Sequence, residues 1–167
     1  MQAAGNVRPV TADDAAAIVA LIDLVAEQDR TVGLDSYPGG PEALRRQISG
    51  TSAQVASFLL AEHEGHIAGY LFVNRYPQPA LAHVGLLAVA VHPEHRRAGL
   101  GRALLAGADA WAASVAVEKM TLSVLDSNRP AVQLFSSCGY AVESRRLGQF
   151  RIGGKVIDEV LMAKWLP

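Results

Sequence analysis

The alternation of hydrophobic and polar residues divides the chain into short strand-like segments and longer helix-like segments. Apolar residues recur at helical spacing after Thr11, which is a suitable N-cap, and again from Gly99 onward. The longest apolar run, Val84–Val91, suits a buried strand and is far shorter than the ~20 residues that cross a bilayer. The pattern predicts strands over residues 7–10, 55–61, 67–73, 81–91, 120–125, 140–147 and 155–165, and helices from Thr11 to about residue 30 and over residues 42–48, 99–117 and 129–137.

Glycine and proline residues mark the connections between these segments. Residues 31–41 are rich in both and predict a flexible loop, and residues 62–66 predict the turn of a β-hairpin. Gly107 lies near the apolar face of its helix, where the missing side chain would let the helix approach a sheet. No repeat or linker interrupts the pattern, so we expect one α/β domain over residues 1–167, in which a mostly antiparallel meander leads into a β-α-β unit.

Composition narrows the class of protein without indicating its chemistry. Half of the 167 residues are apolar and 19% are charged, with a formal net charge of −1, which argues against a disordered chain. The balanced charge also argues against a general nucleic-acid or membrane binder, although a local basic site remains compatible with it. A single cysteine, Cys138, rules out an internal disulfide and a multi-thiolate metal site. The first residues lack the features of a targeting segment, so we expect a soluble, cytoplasmic protein.

The segment from residue 89 to residue 102 carries the clearest chemical signal. A buried strand ends there, and a turn containing Gly99 and Gly101 opens a helix flanked by arginines. Helix N-termini present unpaired N–H groups and partial positive charge, so the pattern predicts a phosphate or pyrophosphate site. A plain strand-to-helix turn with solvated arginines is the alternative. A Walker A loop is excluded because Arg102 follows Gly101, and the dinucleotide fingerprint is excluded because position 104 is leucine.

Two motifs in order resemble the GNAT superfamily of acetyl-CoA-dependent N-acetyltransferases. The run Arg96-Arg97-Ala98-Gly99-Leu100-Gly101 matches the family's Arg/Gln-x-x-Gly-x-Gly/Ala. A later strand, followed by Asn128 and by a short helix that ends at Gly139-Tyr140, matches the second sequence motif of the family. The resemblance implies a mixed, mostly antiparallel central sheet with splayed middle strands and flanking helices. It also implies acetyl-CoA as co-substrate and transfer of an acetyl group to an amine.

The resemblance also assigns cofactor-binding positions. The backbone of the strand that ends at Val91 would pair with the pantetheine arm. The loop that follows it and the helix start at Gly99 and Gly101 would hold the pyrophosphate. A backbone N–H of this strand, at Val89 or a neighbour, would stabilise the oxyanion. Asn128 would contact the cofactor, although an ordinary helix-capping asparagine is the alternative. The expected cofactor-binding residues are Val89, Ala90, Val91, Arg96, Arg97, Ala98, Gly99, Leu100, Gly101, Arg102 and Asn128.

The catalytic groups depart from the family pattern. The tyrosine that often protonates the leaving thiolate is replaced by Phe135, which has no proton to donate. Leu86 and Ser123 occupy positions where a carboxylate would be expected. The nearest titratable side chain on the strand predicted over residues 81–91 is His83, which we take as the candidate base. Glu62 on the hairpin is a weaker alternative.

Paired histidines suggest a metal site, but their setting argues against one. His63 and His66 fall in a turn, and His92 and His95 fall in the cofactor loop, with no helical His-Glu-x-x-His pattern. We therefore expect no metal, and we interpret Cys138 as a packed small residue.

The resemblance places the acceptor under residues 30–41, including Tyr37, and beside Tyr76. Neither region has an acidic cluster, so a polyamine is disfavoured, and we expect a small-molecule amine such as an amino acid. A protein N-terminal or ribosomal-protein acetyltransferase, an acyl-CoA-binding module without catalysis and a generic nucleotide-phosphate binder are the alternatives. The apolar closing strands are compatible with a homodimer.

Overall fold

The computed structural model describes residues 6–29 and 37–167 and contains seven strands and four helices in this part of the chain. In chain order the elements are β1 (Asn6–Pro9), α1 (Ala15–Asp29), α2 (Gly40–Gly50), β2 (Ala56–His63), β3 (His66–Arg75), β4 (Val84–Val91), α3 (Leu100–Ser114), β5 (Lys119–Leu125), α4 (Arg129–Ser137), β6 (Ala141–Ile152) and β7 (Lys155–Trp165). Short 3₁₀ turns precede α1, β4 and α3.

All seven strands form one sheet, in the order β1-β2-β3-β4-β5-β7-β6. Every neighbouring pair is antiparallel except β4 and β5, which are parallel because α3 connects them. The β4–β5 pairing covers only Val84–Leu86 against residues 119–121, and beyond it the two strands separate. The predicted fold class, with splayed middle strands, is therefore confirmed.

The two faces of the sheet are covered by different helices. The face that carries Leu71, Leu122 and Val160 packs against α3 and α4 and forms the larger core. The opposite face carries Phe58 and Tyr70 and packs against α1 and α2, over β2, β3 and β4 only. Neither core includes the described side chains of β5, β7 and β6 that lie on this second face.

Gly107 has the role that its position predicted. A Cβ there would lie 2.8 Å from Leu59 Cδ1 and 3.7 Å from Val7 Cγ1, so a side chain would hold α3 away from β1 and β2. The missing side chain lets α3 lie directly on the sheet.

Several predicted boundaries are wrong by a few residues. The strand predicted to begin at residue 81 begins at Val84, because Pro79–Leu81 forms a 3₁₀ turn. The helix predicted to reach residue 117 ends at Ser114, where Val117 N–H bonds back to the carbonyl of Ala112. The predicted loop over residues 31–41 lies mostly outside the described residues, and α2 begins at its end. No helix in residues 6–29 and 37–167 is long and apolar enough to cross a membrane.

Candidate functional site

A cavity of about 500 Å³ lies between the second half of β4, the start of α3 and α4. β4 forms one wall of the cavity, because β5 has already separated from β4 at this point. The cavity is lined by all the predicted cofactor residues except Ala98, namely Val89, Ala90, Val91, Arg96, Arg97, Gly99, Leu100, Gly101, Arg102 and Asn128. Ala98 instead packs against the larger core.

The wall formed by β4 has a free backbone edge. On one side, Val89 and Val91 pair with Leu71 and Gly69 of β3. On the other side, pairing with β5 stops at Leu86, so the strand beyond it has no partner among the described residues. An extended ligand can therefore add to this edge as another strand would.

The start of α3 provides a second set of unpaired backbone groups. Gly99 has φ +83° and leads the chain into the helix, whose first hydrogen bond runs from Ala103 N–H to the Gly99 carbonyl at 3.0 Å. The N–H groups of Leu100, Gly101 and Arg102 therefore precede the helical hydrogen bonding. A Cβ on Gly101 would lie 2.8 Å from Leu134 Cδ2, so this glycine sets the close approach of α3 and α4.

The three arginines of this region have different surroundings. Arg96 forms a bidentate ion pair with Asp29, at 3.0 and 2.6 Å, and its Nε donates to the Val91 carbonyl. Arg102 donates to the carbonyl and the hydroxyl of Ser137. The Arg97 guanidinium forms no ion pair or hydrogen bond within the described part of the chain, and its backbone has φ +67°. Among these three arginines of the cavity wall, Arg97 and Arg102 therefore carry charges that no described carboxylate pairs with, and the Arg97 side chain has no described partner at all.

Asn128 forms the helix cap that its sequence position suggested, and it also lies in the cavity wall. Its Oδ1 accepts from Ala131 N–H at 3.3 Å and caps α4, and the residue also lines the cavity. The cap holds the start of α4 against the cavity, and that geometry is suited to a cofactor contact as well.

A family comparison decides the nature of this site. The model of the acetyltransferase (GNAT) family matches residues 19–140, more than half of the chain. The chain belongs to the GNAT acetyltransferase family. The matched region contains β4, the glycine-containing turn, α3 and α4, which form the cavity.

Individual GNAT proteins support the same assignment. An N-alpha-acetyltransferase of Sulfurisphaera tokodaii is 33% identical over 117 residues, which cover 65% of this chain and 68% of that protein. A GNAT-family acetyltransferase from Streptococcus pneumoniae has a solved structure with a TM-score of 0.88 and 27% identity, covering 97% of this chain and 99% of that one. A GNAT phosphinothricin acetyltransferase from Sinorhizobium meliloti, solved in complex with acetyl-CoA, has the same fold, with a TM-score of 0.88, 16% identity and coverage of 98% and 89%. The chain is an acetyl-CoA-dependent N-acetyltransferase.

Several residues of the cavity wall lie outside the predicted cofactor-binding positions of this GNAT enzyme. Leu134 and Phe135 come from the buried side of α4, and helical spacing from Ala131 could have indicated them. His95 comes from the turn before α3, inside the loop that the sequence singled out. Val25 and Asp29 come from the end of α1, far from the cofactor motif, and carry no local sequence signal.

Phe135 lies where the GNAT resemblance placed a tyrosine. Its ring is 5% exposed, lines the cavity and packs edge-on against Tyr140 with the ring centroids 5.9 Å apart. Tyr140 does not replace the missing phenol, because its ring is buried and is not part of the cavity wall. Burial raises the pKa of its hydroxyl well above the ordinary value for tyrosine.

His83 lies at the wrong end of β4 for the role expected of it. It precedes the strand and stacks on Trp165 with ring centroids 6.3 Å apart. Six residues of extended chain, about 20 Å, separate it from Val89 in the cavity wall. The weaker candidate, Glu62, is bound to Arg8 Nε at 2.8 Å across the β1–β2 pair. Neither side chain lines the cavity.

A buried carboxylate that the sequence did not indicate lies on β7. Glu159 is 6% exposed and accepts a hydrogen bond from the Ser123 hydroxyl through Oε1. Its Oε2 accepts from Arg146 Nη1 at 2.9 Å. Ser123, where the sequence lacks the expected carboxylate, therefore contacts a carboxylate supplied by another strand.

Three of the histidines lie together in space, and this group differs from the two pairs that are close in sequence. His95 lies between His63 and His92, with ring centroids 5.3 and 5.1 Å apart. Within residues 6–29 and 37–167, no group of three or more histidine, cysteine, aspartate or glutamate side chains is placed to hold a metal ion.

Proposed function

We propose that residues 1–167 act as one domain that transfers the acetyl group of acetyl-CoA to a primary amine of a small molecule, such as an amino acid. The observation that carries this proposal is the unpaired edge of β4 beside the unpaired N–H groups of α3, within one cavity of about 500 Å³. The edge suits an extended pantetheine arm, and the helix start suits a pyrophosphate.

In this proposal each part of acetyl-CoA has a partner in the chain. The N–H groups of residues 100–102 and the guanidinium of Arg97 hold the pyrophosphate. The backbone of residues 89–91 pairs with the pantetheine arm, and Asn128 contacts the cofactor beside it. The arm fills the gap between β4 and β5, which brings the thioester to the point where the two strands separate.

The transfer requires a neutral amine, which attacks the thioester carbonyl. An alkylammonium has a pKa near 10.4, so a proton must leave before the attack. A backbone N–H of β4, at Val89 or a neighbour, stabilises the negative charge that develops on the carbonyl oxygen. The thiolate leaves without the usual phenol, since Phe135 has no proton to give. A thiol pKa near 8.5 makes this departure feasible.

The acceptor reaches the thioester from the face of the sheet that carries α1 and α2. Tyr37 closes part of this face, where it packs against the smaller core and donates its hydroxyl to Gln47. Residues 30–36 of the expected acceptor cover lie outside the described residues. Leu86 and Ser123 are exposed at the β4–β5 separation and offer a small, weakly polar surface that suits a compact amine.

A protein N-terminus is a second candidate acceptor. It is favoured by the similarity to the N-alpha-acetyltransferase of Sulfurisphaera tokodaii. A short peptide with a free α-amino group would enter by the same face, so peptides belong beside amino acids in any acceptor panel.

Thiol release from acetyl-CoA across a panel of amino acids, small primary amines and short peptides tests the proposal. Release that depends on an amino acid or another small amine supports it. Tight binding of acetyl-CoA without release on any acceptor overturns it in favour of a binding module. Displacement of acetyl-CoA by ATP or NAD at similar concentrations overturns the cofactor assignment instead.

We also propose that two copies of the chain associate through the β6–β7 hairpin. β6 is an edge strand, and apolar side chains there are exposed, with Leu147 80%, Val156 56% and Val142 48% accessible. Analytical ultracentrifugation should show a dimer that Leu147→Glu shifts towards monomer. A monomer at all concentrations contradicts this proposal.

A further inference from the structure

Ser123, Glu159 and Arg146 lie on one face of the sheet, on the strands β5, β7 and β6 that follow the β4–β5 separation. Opposite residues of paired strands point to the same face, and Glu159 lies opposite both Leu125 of β5 and Arg146 of β6. Ser123 lies two residues before Leu125 and therefore points the same way. Thr121 lies two residues before Ser123 and pairs with Leu86 of β4, so both also point to this face. Farther along the sheet, α1 and α2 cover the same face.

The position of Ser123 is unusual for a residue of a central strand. Its side chain is exposed because β4 has already left β5, whose last pair with β4 is Leu86 with Thr121. Glu159, one strand farther from the gap, is 6% exposed. The hydroxyl of Ser123 thus connects the buried carboxylate of Glu159 with the solvent-exposed surface beside the gap between β4 and β5.

We infer that Ser123 and Glu159 form a proton relay that receives the acceptor amine at this gap. This inference rests on the proposed acetyl transfer. The Ser123 hydroxyl donates to Glu159, which leaves the lone pairs of its oxygen to accept an N–H of the incoming ammonium. Ser123 is the residue that touches the acceptor. Glu159 is a positioning residue that acts through Ser123, and Arg146 holds its other oxygen in place.

The proton balance of the relay is complete without another reactant. The ammonium gives one proton to Ser123 Oγ as the hydroxyl proton of Ser123 passes to the Glu159 carboxylate, which leaves a neutral amine. The amine nitrogen then forms the C–N bond, and the C–S bond breaks with its electron pair on sulfur. The second proton lost by nitrogen reaches the thiolate through solvent. Protonated Glu159 later returns its proton to solvent through Ser123.

The groups around Glu159 leave it available for this role. Arg146 is the charged group that faces it from β6, at 2.9 Å. Two nearby aspartates are bound elsewhere: Asp126, which directly follows β5, accepts from Arg145, and Asp158 of β7 accepts from Gly148 N–H. The Arg146 side chain is half exposed, and an ion pair with an exposed partner contributes little net stability, so folding alone gives a weak reason for Glu159 to occupy this site.

The test compares Glu159→Gln with the wild-type enzyme in the thiol-release assay, using the amine from the amino-acid and small-amine panel that gives the fastest wild-type release. Glutamine keeps the size and the hydrogen bond to Ser123 but takes up no proton. We expect Glu159→Gln to lower kcat/KM for the amine by roughly 100-fold near pH 7, within the range for general base catalysis. KM for acetyl-CoA stays within about twofold, because the substitution leaves the cofactor contacts in place. The loss should shrink at high pH, where the free amine no longer needs a base.

Matched variants separate the relay from packing. Ser123→Ala should show the same pH-dependent loss, whereas Glu159→Asp should recover part of the activity. Thr121→Ser is the control on the same strand and face, since Thr121 Oγ1 donates to the Gly85 carbonyl instead of to Glu159. An active wild type with an equally active Glu159→Gln variant, or with a loss that is the same at every pH, overturns the relay alone. A wild type that binds acetyl-CoA but releases no thiol overturns the proposed function and the relay with it.

Discussion

The guanidinium of Arg96 and the carboxylate of Asp29 form a bidentate ion pair that joins the cofactor loop to the end of α1. Arg96 also donates to the Val91 carbonyl, so one side chain links β4, the loop and α1. This arrangement makes Arg96 a support for the loop, whereas the charges of Arg97 and Arg102 have no described carboxylate partner and remain for the ligand.

Removing the carboxylate should therefore weaken cofactor binding without removing a cofactor contact of Arg97. We expect Asp29→Asn to raise the dissociation constant for acetyl-CoA by roughly fivefold, corresponding to about 1 kcal/mol for a partly exposed ion pair. Isothermal titration calorimetry measures it. Glu27→Gln is the control, since Glu27 is exposed on the same helix. Equal affinities for Asp29→Asn and the wild type would contradict the supporting role.

Gly101 offers a test of the narrow space between α3 and α4. In Gly101→Ala the new Cβ would lie 2.8 Å from Leu134 Cδ2, so Leu134 must move within the cavity wall. We expect a loss of about 1 kcal/mol in acetyl-CoA binding, which is roughly fivefold in affinity. Gly50→Ala is the matched control because a Cβ there meets nothing within 4 Å. If both variants bind acetyl-CoA as the wild type does, α4 is not a wall of the cofactor site.

Phe135 tests whether protonation of the leaving thiolate limits the rate. In Phe135→Tyr the cavity gains a phenol at the position that GNAT enzymes often use. Because a thiolate is already a good leaving group, we expect kcat to stay within about threefold of the wild-type value. Phe135→Leu is the control for packing against Tyr140. A rise in kcat of about 100-fold in Phe135→Tyr would show that the missing acid does limit turnover.

The ion pair between Arg8 and Asp14 connects β1 to the turn before α1. It predicts how the free energy of unfolding changes at acidic pH. Two hydrogen bonds from Arg8, at 2.8 and 2.9 Å, hold the pKa of Asp14 far below its ordinary value of 3.8. Because the folded pKa is depressed, the stabilisation is full above about pH 4 and is lost as the pH falls further. Asp14→Asn should lower the free energy of unfolding by about 1 kcal/mol at pH 7 and by less at pH 3.

Urea unfolding of wild type and Asp14→Asn at the two pH values measures this difference. Asp13→Asn is the control from the same turn, since Asp13 takes no part in the Arg8 contacts. A gap between wild type and Asp14→Asn that stays constant from pH 7 to pH 3 would contradict the assignment.

The sequence pointed to most of the residues that line the cavity because the main parts of the cavity are local. The unpaired N–H groups of α3 depend on Gly99 and on the helix start, and both are contained in a few consecutive residues. The strand before them is recognisable from its apolar run. Even the cap formed by Asn128 depends only on a residue three positions later.

The parts that the sequence did not predict depend on register between distant segments. Glu159 meets Ser123 only because β7 pairs with β5, and Asp29 meets Arg96 across 67 positions of the chain. The position of His83 has a local cause: the 3₁₀ turn at Pro79–Leu81 comes before β4, which starts at Val84, so His83 precedes the strand, at the end away from the cavity. Hydrophobic pattern indicates which face a residue takes, and it leaves open which neighbour that face meets.

Isotopically labelled acetyl-CoA gives the most direct test of the central claim. The wild-type protein is incubated with acetyl-CoA labelled in the acetyl group and with the amine panel, and the products are identified by mass spectrometry. We expect the label to appear in an amide of a small primary amine, and we expect Arg97→Ala to slow its appearance at limiting acetyl-CoA. Label that remains on CoA with every amine, or that is transferred only to peptide N-termini, would contradict it.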